Sequence, residues 1–189
     1  MSMRKKALGF AALAGASAAL FGGPSPSAQA TTAAPPLVEI FPQHVPQADG
    51  LRMALTAGLP SVPGATGIKV TQEPDLSLQR QKWELRFAPG GAVLQLVNVH
   101  TGLCLKGGGV AGNVVRQVTC VPSASTAEPR QFWRDRQTLL NGVVVHRYEN
   151  VDNGLYMGIR ASSPQSGALL ESQALNSLPS QKFKLKAVS

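Results

Sequence analysis

The chain has 189 residues, of which eighteen are lysine or arginine and ten are acidic, giving a formal charge of +8, and 43% of its residues are hydrophobic. The basic residues are scattered, with no dense block and no aromatic-interleaved stripe, so direct nucleic-acid binding is disfavoured and adherence to an acidic cell surface fits better. Beyond the first thirty residues no run is apolar and long enough for a membrane helix.

Those first thirty residues read as a leader. Arg4, Lys5 and Lys6 form a basic start, Ala7 to Phe21 an apolar stretch, and Ala28-Gln29-Ala30 a small-x-small cleavage site. The expectation is a signal peptide over 1–30, cleavage after Ala30, and a secreted product, periplasmic or extracellular. No cysteine lies at that junction, so no lipid anchor is expected there. Cleavage removes three basic residues and no acidic one, which leaves +5 on about 159 residues, enough for one domain with a single core.

Residues 31–47 form a Pro-rich segment with Pro35, Pro36, Pro42 and Pro46 around an apolar stretch of Leu37, Val38, Ile40 and Phe41. Proline blocks helix and limits strand pairing, so the segment is predicted as an extended arm. An apolar arm either lies along its own domain or inserts into a partner, and the sequence leaves both open. In the second case Leu37, Val38, Ile40 and Phe41 are candidate partner-interface residues, and deleting Thr31 to Pro46 should weaken assembly while leaving the fold intact.

From Ala48 to Ser189 the chain repeats itself three times. Gln81-Lys82-Trp83, Gln131-Phe132-Trp133 and Gln181-Lys182-Phe183 lie fifty residues apart. Asp49-Gly50-Leu51-Arg52-Met53, Thr101-Gly102-Leu103-Cys104-Leu105 and Asn153-Gly154-Leu155-Tyr156-Met157 lie fifty-two apart. Between them stand Gly67-Ile68-Lys69-Val70, Gly112-Asn113-Val114-Val115 and Gly167-Ala168-Leu169-Leu170. A fixed period of this size marks one supersecondary unit used several times. The apolar runs are short and β-branched, as in Val93 to Val99 and Val143 to Val145, and no long helical period is present, so the domain reads as all-β.

In a strand, residues two apart share a face, which turns Gln81 and Trp83, Gln131 and Trp133, and Gln181 and Phe183 inward together as the repeated core. A buried amide must be hydrogen-bonded, and glutamine can satisfy both the donors and acceptors of a neighbouring turn while the aromatic fills the unit's share of the core. No unit can bury its own apolar face, but three around an axis can, in a closed arrangement with few edges. Phe132 falls where the other triplets have Lys82 and Lys182, so it is expected to face outward as a further candidate partner contact.

Cys104 and Cys120 are the only cysteines. A single internal pairing is available, closing a loop of about 16 residues that the chain-entropy model values at roughly 3 kcal/mol. Two unpaired thiols are the weaker alternative, and a metal site weaker still for lack of further ligands. No cofactor or metal is expected.

Gly-Leu-Cys-Leu opening a repeat, Gly-Asn-Val-Val-Arg-Gln-Val-Thr-Cys in its middle and Gln-Phe-Trp closing it make the stretch from Ala48 to Leu185 resemble the ricin-type β-trefoil. That resemblance implies a three-lobed β-trefoil and a Cys104–Cys120 bridge within one repeat. A narrower resemblance, to the exported A and C subunits of cytolethal distending toxins, rests on Val38-Glu39-Ile40 with Pro42, Arg52 to Ala57, Lys82-Trp83-Glu84-Leu85 and Leu96-Val97-Asn98. The order is similar to that near the start of the C-type subunit. This resemblance implies a non-enzymatic cell-binding and delivery subunit of a tripartite bacterial virulence toxin. Its partners would be a nuclease-like catalytic subunit, a second trefoil and a host-surface glycan or lipid. A free-standing ricin-type lectin is the alternative, and an exported inhibitor or structural trefoil a third class.

Ricin-type sugar sites use an acidic residue just after the opening strand and an aromatic platform half a repeat on. By spacing, the acidic position holds Ala54, Lys106 and Gly158, and no aromatic lies between Lys106 and Cys120 or between Gly158 and Glu171. All three standard pockets therefore read as disabled. Gly107 to Gly112 satisfies G-x-G-x-x-G but opens no helix, so a hairpin loop is the better reading. His44, His100 and His146 lie beside no nucleophile motif, and Glu149 and Asp152 flank a turn rather than forming an acid/base pair.

Overall fold

The computed structural model describes residues 34–45, 52–123 and 125–188. The expected signal peptide and the Asp49-Gly50-Leu51 opening of the first repeat lie outside the described residues. Among the described residues there is no α-helix, and none long and apolar enough to cross a membrane. Twelve strands follow in order: β1 (Leu37–Pro42), β2 (Met53–Ala57), β3 (Ile68–Pro74), β4 (Lys82–Phe87), β5 (Leu94–Asn98), β6 (Cys104–Lys106), β7 (Arg116–Val118), β8 (Trp133–Leu140), β9 (Val143–Asn150), β10 (Tyr156–Ile159), β11 (Leu170–Gln173) and β12 (Phe183–Ala187).

Six strands close a ring. β1 pairs with β4, β4 with β5, β5 with β8, β8 with β9, β9 with β12, and β12 returns to β1, every pair antiparallel. Closure satisfies the edge hydrogen bonds that an open sheet would expose. The other six strands form three hairpins, β2–β3, β6–β7 and β10–β11. The hairpins touch one another around an axis through Ile68 and Gln117, Thr71 and Leu169, and Val114 and Glu171. Each unit thus gives its first and fourth strands to a barrel and its second and third to a cap, which is the β-trefoil architecture.

The core follows the threefold pattern. Ile40, Leu96 and Tyr148 face inward from the first strands, Leu55, Leu105 and Met157 from the second, Val70 and Leu170 from the third with Val115 just ahead of β7, and Trp83, Trp133 and Phe183 from the fourth, and none has measurable exposure. The indole N–H of Trp83 donates to the Leu55 carbonyl at 3.0 Å and that of Trp133 to the Leu105 carbonyl at 3.2 Å, tying each barrel strand to its own cap. Gly67, Gly112 and Gly167 have φ of +74°, +85° and +83°, the left-handed conformation that lets each third strand begin sharply.

A single 3₁₀ turn precedes each fourth strand, at Gln79–Gln81, Pro129–Gln131 and Pro179–Gln181. The repeated glutamine ends each turn and is buried. Gln81 accepts from the backbone amides of Leu76 and Leu78 and donates to the Pro74 carbonyl at 2.8 Å. Gln131 accepts from Val121 N and donates to Thr119 O, both at 3.0 Å. Gln181 accepts from Asn176 N and donates to Ala174 O at 2.7 Å. One amide side chain therefore stands in for missing backbone pairing at the same corner in all three units. A Cys104–Cys120 disulfide, with Cα atoms 5.0 Å apart, joins β6 to the segment after β7.

Three expectations need correction. The segment expected as a separate arm contains β1, which fills the barrel between β12 and β4. Val38, Ile40 and Phe41 are buried there, with only Leu37 half exposed at the strand's start, so they cannot serve as a free partner interface. Deleting Thr31 to Pro46 would open the barrel rather than spare it. Phe132 is also buried, at 5% exposure, at the base of a groove walled by the β4–β5 turn and the segment before β8. Finally, the first unit is displaced by two residues from the fifty-two-residue spacing. Leu55 pairs with Gln72 as Leu105 pairs with Gln117 and Met157 with Ser172, so Thr56, not Ala54, is the counterpart of Lys106 and Gly158.

Candidate functional site

The residue that follows the inward side chain of each second strand looks away from the core, toward the space beneath the cap hairpin. These residues are Thr56, Lys106 and Gly158, and the three units treat that space differently. In the first, Thr56 is buried, donates its hydroxyl to the Ala54 carbonyl at 3.1 Å and accepts from Gln81 Nε2 at 3.1 Å. Its burial keeps it from any ligand. In the third, a Cβ added to Gly158 would fall 2.2 Å from Gln173 Oε1, so the Gln173 side chain covers that position and lines a concavity of about 450 Å³ beyond it with Ala161, Ser162 and Asn176, none of them charged. Gln173 is held there by its own bonds to the Ile159 carbonyl and Glu171.

The second unit is open. A cavity of about 600 Å³ is lined by Lys106, Arg116, Arg130 and Arg160 together with Asn113 and the Gly107–Gly109 loop. The β6–β7 hairpin requires glycine at Gly108, where a Cβ would lie 2.4 Å from that of Asn113 across the hairpin, whereas one on Gly109 would make ordinary contact, at 3.4 Å, with an Arg130 guanidinium nitrogen. The G-x-G-x-x-G stretch is therefore the roof of a pocket in a hairpin and has no following helix. Its four cations come from four places in the chain, namely β6, β7, the turn before β8, and the third unit just beyond β10.

Carboxylates pair with three of these cations without lining the cavity. Lys106 Nζ is 2.7 Å from Glu128, Arg130 Nε 3.9 Å from Asp152 and Arg160 Nε 2.7 Å from Glu171. The hydrogen bond and charge of Lys106 hold the Glu128 carboxyl below its ordinary range. Arg116 has no carboxylate partner among the described residues and donates to the Gly67 carbonyl at 2.7 Å. Arg160 also donates to the Gly112 carbonyl at 3.2 Å. Among the described residues the charged groups of the lining are therefore all cationic, set among glycines, Asn113 and two valines, with no acid and no aromatic face.

A second concavity lies on the barrel's flank. It is an apolar groove of about 360 Å³ bordered by Ala88, Pro89, Val93, Pro129 and Val151, with Phe132 beneath. Phe132, expected to face outward as a partner contact, is instead buried at the base of this groove.

The other candidates form no reacting centre. His146 Nδ1 lies 2.8 Å from an Asp135 oxygen, yet among the described residues no hydroxyl is bonded to its other ring nitrogen. Glu149 bridges Arg136 at 2.6 Å and Arg134 at 3.4 Å, and Asp152 faces Arg130. Among the described residues no three His, Cys, Asp or Glu side chains gather as a metal site.

No family model matches the chain, and no curated protein matches it. Solved structures do. A designed threefold-symmetric protein, ThreeFoil, superposes with a TM-score of 0.63 at 17% identity over 80% of this chain and 99% of its own. The C-half of an earthworm R-type lectin in complex with GalNAc gives 0.55 at 13% identity over 82% of this chain and 100% of its own. The Haemophilus ducreyi cytolethal distending toxin gives 0.58 at 15% identity over 81% of this chain and 87% of the matched one. Against two longer chains, a mosquitocidal holotoxin and a Clostridium thermocellum exo-β-1,3-galactanase, the match spans only 18% and 30% of their lengths. Identities this low establish the build of the molecule and nothing finer: the chain is a β-trefoil.

Proposed function

We propose that this chain is a non-catalytic, secreted recognition subunit that binds a cell-surface glycan and, in a tripartite toxin of the cytolethal distending kind, helps deliver a nuclease-like catalytic subunit beside a second trefoil. The observation that carries this reading is the division of the surface. All three corners of the core are built alike, yet of the three outward positions Thr56 is buried, Gly158 is covered by Gln173, and only Lys106 lines a pocket in which four cations gather. An apolar groove, separate from that pocket, remains for a protein partner. The residues that resemble a C-type subunit support kinship of build, since Val38 to Pro42, Met53 to Ala57 and Lys82 to Leu85 are β1, β2 and part of β4.

The assembly is tested by co-expressing the chain with the products of adjacent reading frames and following them through size-exclusion chromatography. Co-elution with a nuclease-like protein and a second trefoil is expected, weakened by Val93→Glu at the groove's border without loss of the β-sheet circular dichroism signal. A chain that elutes alone from every such product overturns the toxin assignment. The free-standing lectin is the second reading, favoured by the open pocket of the second unit, and it requires that the isolated chain bind glycan as well as any assembly does.

A further inference from the structure

The geometry points to the second-unit pocket as a site for an anionic sugar, one bearing sulfate or carboxylate groups, rather than for a neutral pyranose. This rests on the reading of the chain as a glycan-recognition module and specifies its ligand class.

A neutral sugar held in a trefoil pocket needs a carboxylate to accept paired hydroxyl bonds and an aromatic face to cover the apolar side of the ring. The cavity offers neither. In their place stand Lys106, Arg116, Arg130 and Arg160, which converge on one space from different parts of the chain. Guanidinium groups bind sulfate and carboxylate oxygens through paired, charge-assisted bonds, so these residues supply for an anion what the missing acid would supply for a hydroxyl.

Three of the cations are already paired with Glu128, Asp152 and Glu171, which lowers the cost of gathering like charges before a ligand arrives. Arg116 lacks such a partner among the described residues and is exposed, so its charge is the one most available to a ligand. The Asn113 side chain lines the same space and offers a neutral donor and acceptor for ring hydroxyls. The volume, about 600 Å³, falls within the range of about 300–1,000 Å³ usual for small-ligand sites. A nucleotide fits less well, because no aromatic side chain lines the cavity to stack on a base. A phospholipid headgroup shares the anionic chemistry, but the site is a recess under a hairpin rather than a flat basic face beside an apolar insertion surface.

The test uses the full chain, its Arg116→Glu variant and a milder Arg116→Gln variant, titrated by calorimetry. The probes are a sulfated heparin disaccharide, 3′-sialyllactose, lactose, inorganic sulfate, and phosphatidylcholine–phosphatidylserine vesicles. Expected is binding of at least one acidic sugar and none of lactose. That binding should weaken as salt shortens the screening length from about 10 Å at 0.1 M. It should fall by roughly tenfold or more in Arg116→Glu and less in Arg116→Gln, with the melting temperature unchanged. Lactose binding, or acidic-sugar binding untouched by Arg116→Glu, overturns the pocket assignment while leaving the glycan reading in place. Inorganic sulfate binding as tightly as the sugars identifies a bare-anion site and overturns the sugar. Vesicle binding that exceeds sugar binding and is lost in Arg116→Glu assigns the pocket to lipid instead. Failure of the parent chain to bind any sugar overturns both this proposal and the glycan reading.

Discussion

The inner corners and the outer pockets of the three units obey different rules. At the corners Gln81, Gln131 and Gln181 stand in the same place, end the same 3₁₀ turn and satisfy the same kind of backbone groups. At the outer positions Thr56, Lys106 and Gly158 share neither size, charge nor surroundings. A buried amide that replaces backbone pairing has few substitutes, because losing it strands a donor and an acceptor out of water. A position at an open pocket, as Lys106 is, leaves no such group stranded, so its chemistry can change while the fold stays.

The largest expected effect comes from breaking the barrel that all three corners share. Removing residues 34–42 deletes β1, leaving β4 and β12 with unpaired edges and uncovering the core around Ile40. The shortened chain should lack a cooperative thermal transition and should bind hydrophobic dyes. A truncated chain that melted cooperatively near the parent would show that the barrel can close on five strands.

Next comes the aromatic at each corner. Trp83→Ala and Trp133→Ala each empty a site with no solvent exposure and free a carbonyl, at Leu55 or Leu105, that the indole had bonded. Each should cost about 3–5 kcal/mol in denaturant unfolding. Similar losses in the two variants would support the equivalence of the units. A loss below about 1 kcal/mol in either would show that its corner is not part of the common core.

A paired measurement separates corner from pocket directly. Gln131→Leu keeps the volume roughly constant but leaves Val121 N and Thr119 O without their partner, so it should destabilise by about 2 kcal/mol or more. Lys106→Ala gives up a partly exposed ion pair with Glu128 and should change stability by less than about 1 kcal/mol. Equal costs at the two sites would erase the distinction between them.

That distinction also explains what could be read from the sequence. The Gln-x-aromatic triplets and the glycine-led third strands carry fixed chemistry at fixed places, and they stood out at once. The start of the first unit did not. β1 shares with β5 and β9 only the alternation of inward side chains, and it ends at Pro42, where β5 and β9 end at Asn98 and Asn150. Those asparagines bind the carbonyls of Arg80, Lys82 and Arg130, a signature that proline cannot supply. The two-residue displacement in β2 was hidden for a different reason, since a slip of two preserves which side chains face inward. The Asn141-Gly142 turn, with φ of +51° and +78°, joins β8 to β9 through the Asn-Gly pair that the tightest hairpins favour. The open pocket could not be foreseen from Lys106 alone, because Arg160 reaches it from another unit.

The smallest effect concerns a turn just past the end of each first barrel strand, where His44, His100 and Asp152 occupy matching places. His100 and Asp152 are exposed, whereas His44 is half buried and bonds the Ser163 carbonyl at 2.9 Å through Nε2. A carbonyl only accepts, so Nε2 carries the proton and the buried, unpartnered Nδ1 is bare. Burial lowers the affinity of His44 for a second proton, more than the Ser163 carbonyl raises it. The unfolded chain therefore binds that proton more readily than the folded one. The contribution of His44 is whole above its ordinary value of 6.5 and is lost as pH falls below it. Glu149 acts in the same direction but lower. Burial works to raise its carboxyl, yet the hydrogen bond and charge of Arg136, with Arg134, hold it below 4.5, so its contribution is lost only beneath that value. Melting temperature should thus decline between pH 7 and pH 5 in the parent and decline less in His44→Gln. The corresponding change at exposed His100 should leave the slope as it was, and equal slopes in parent and His44→Gln would show that the first unit's turn is no more enclosed than its two counterparts.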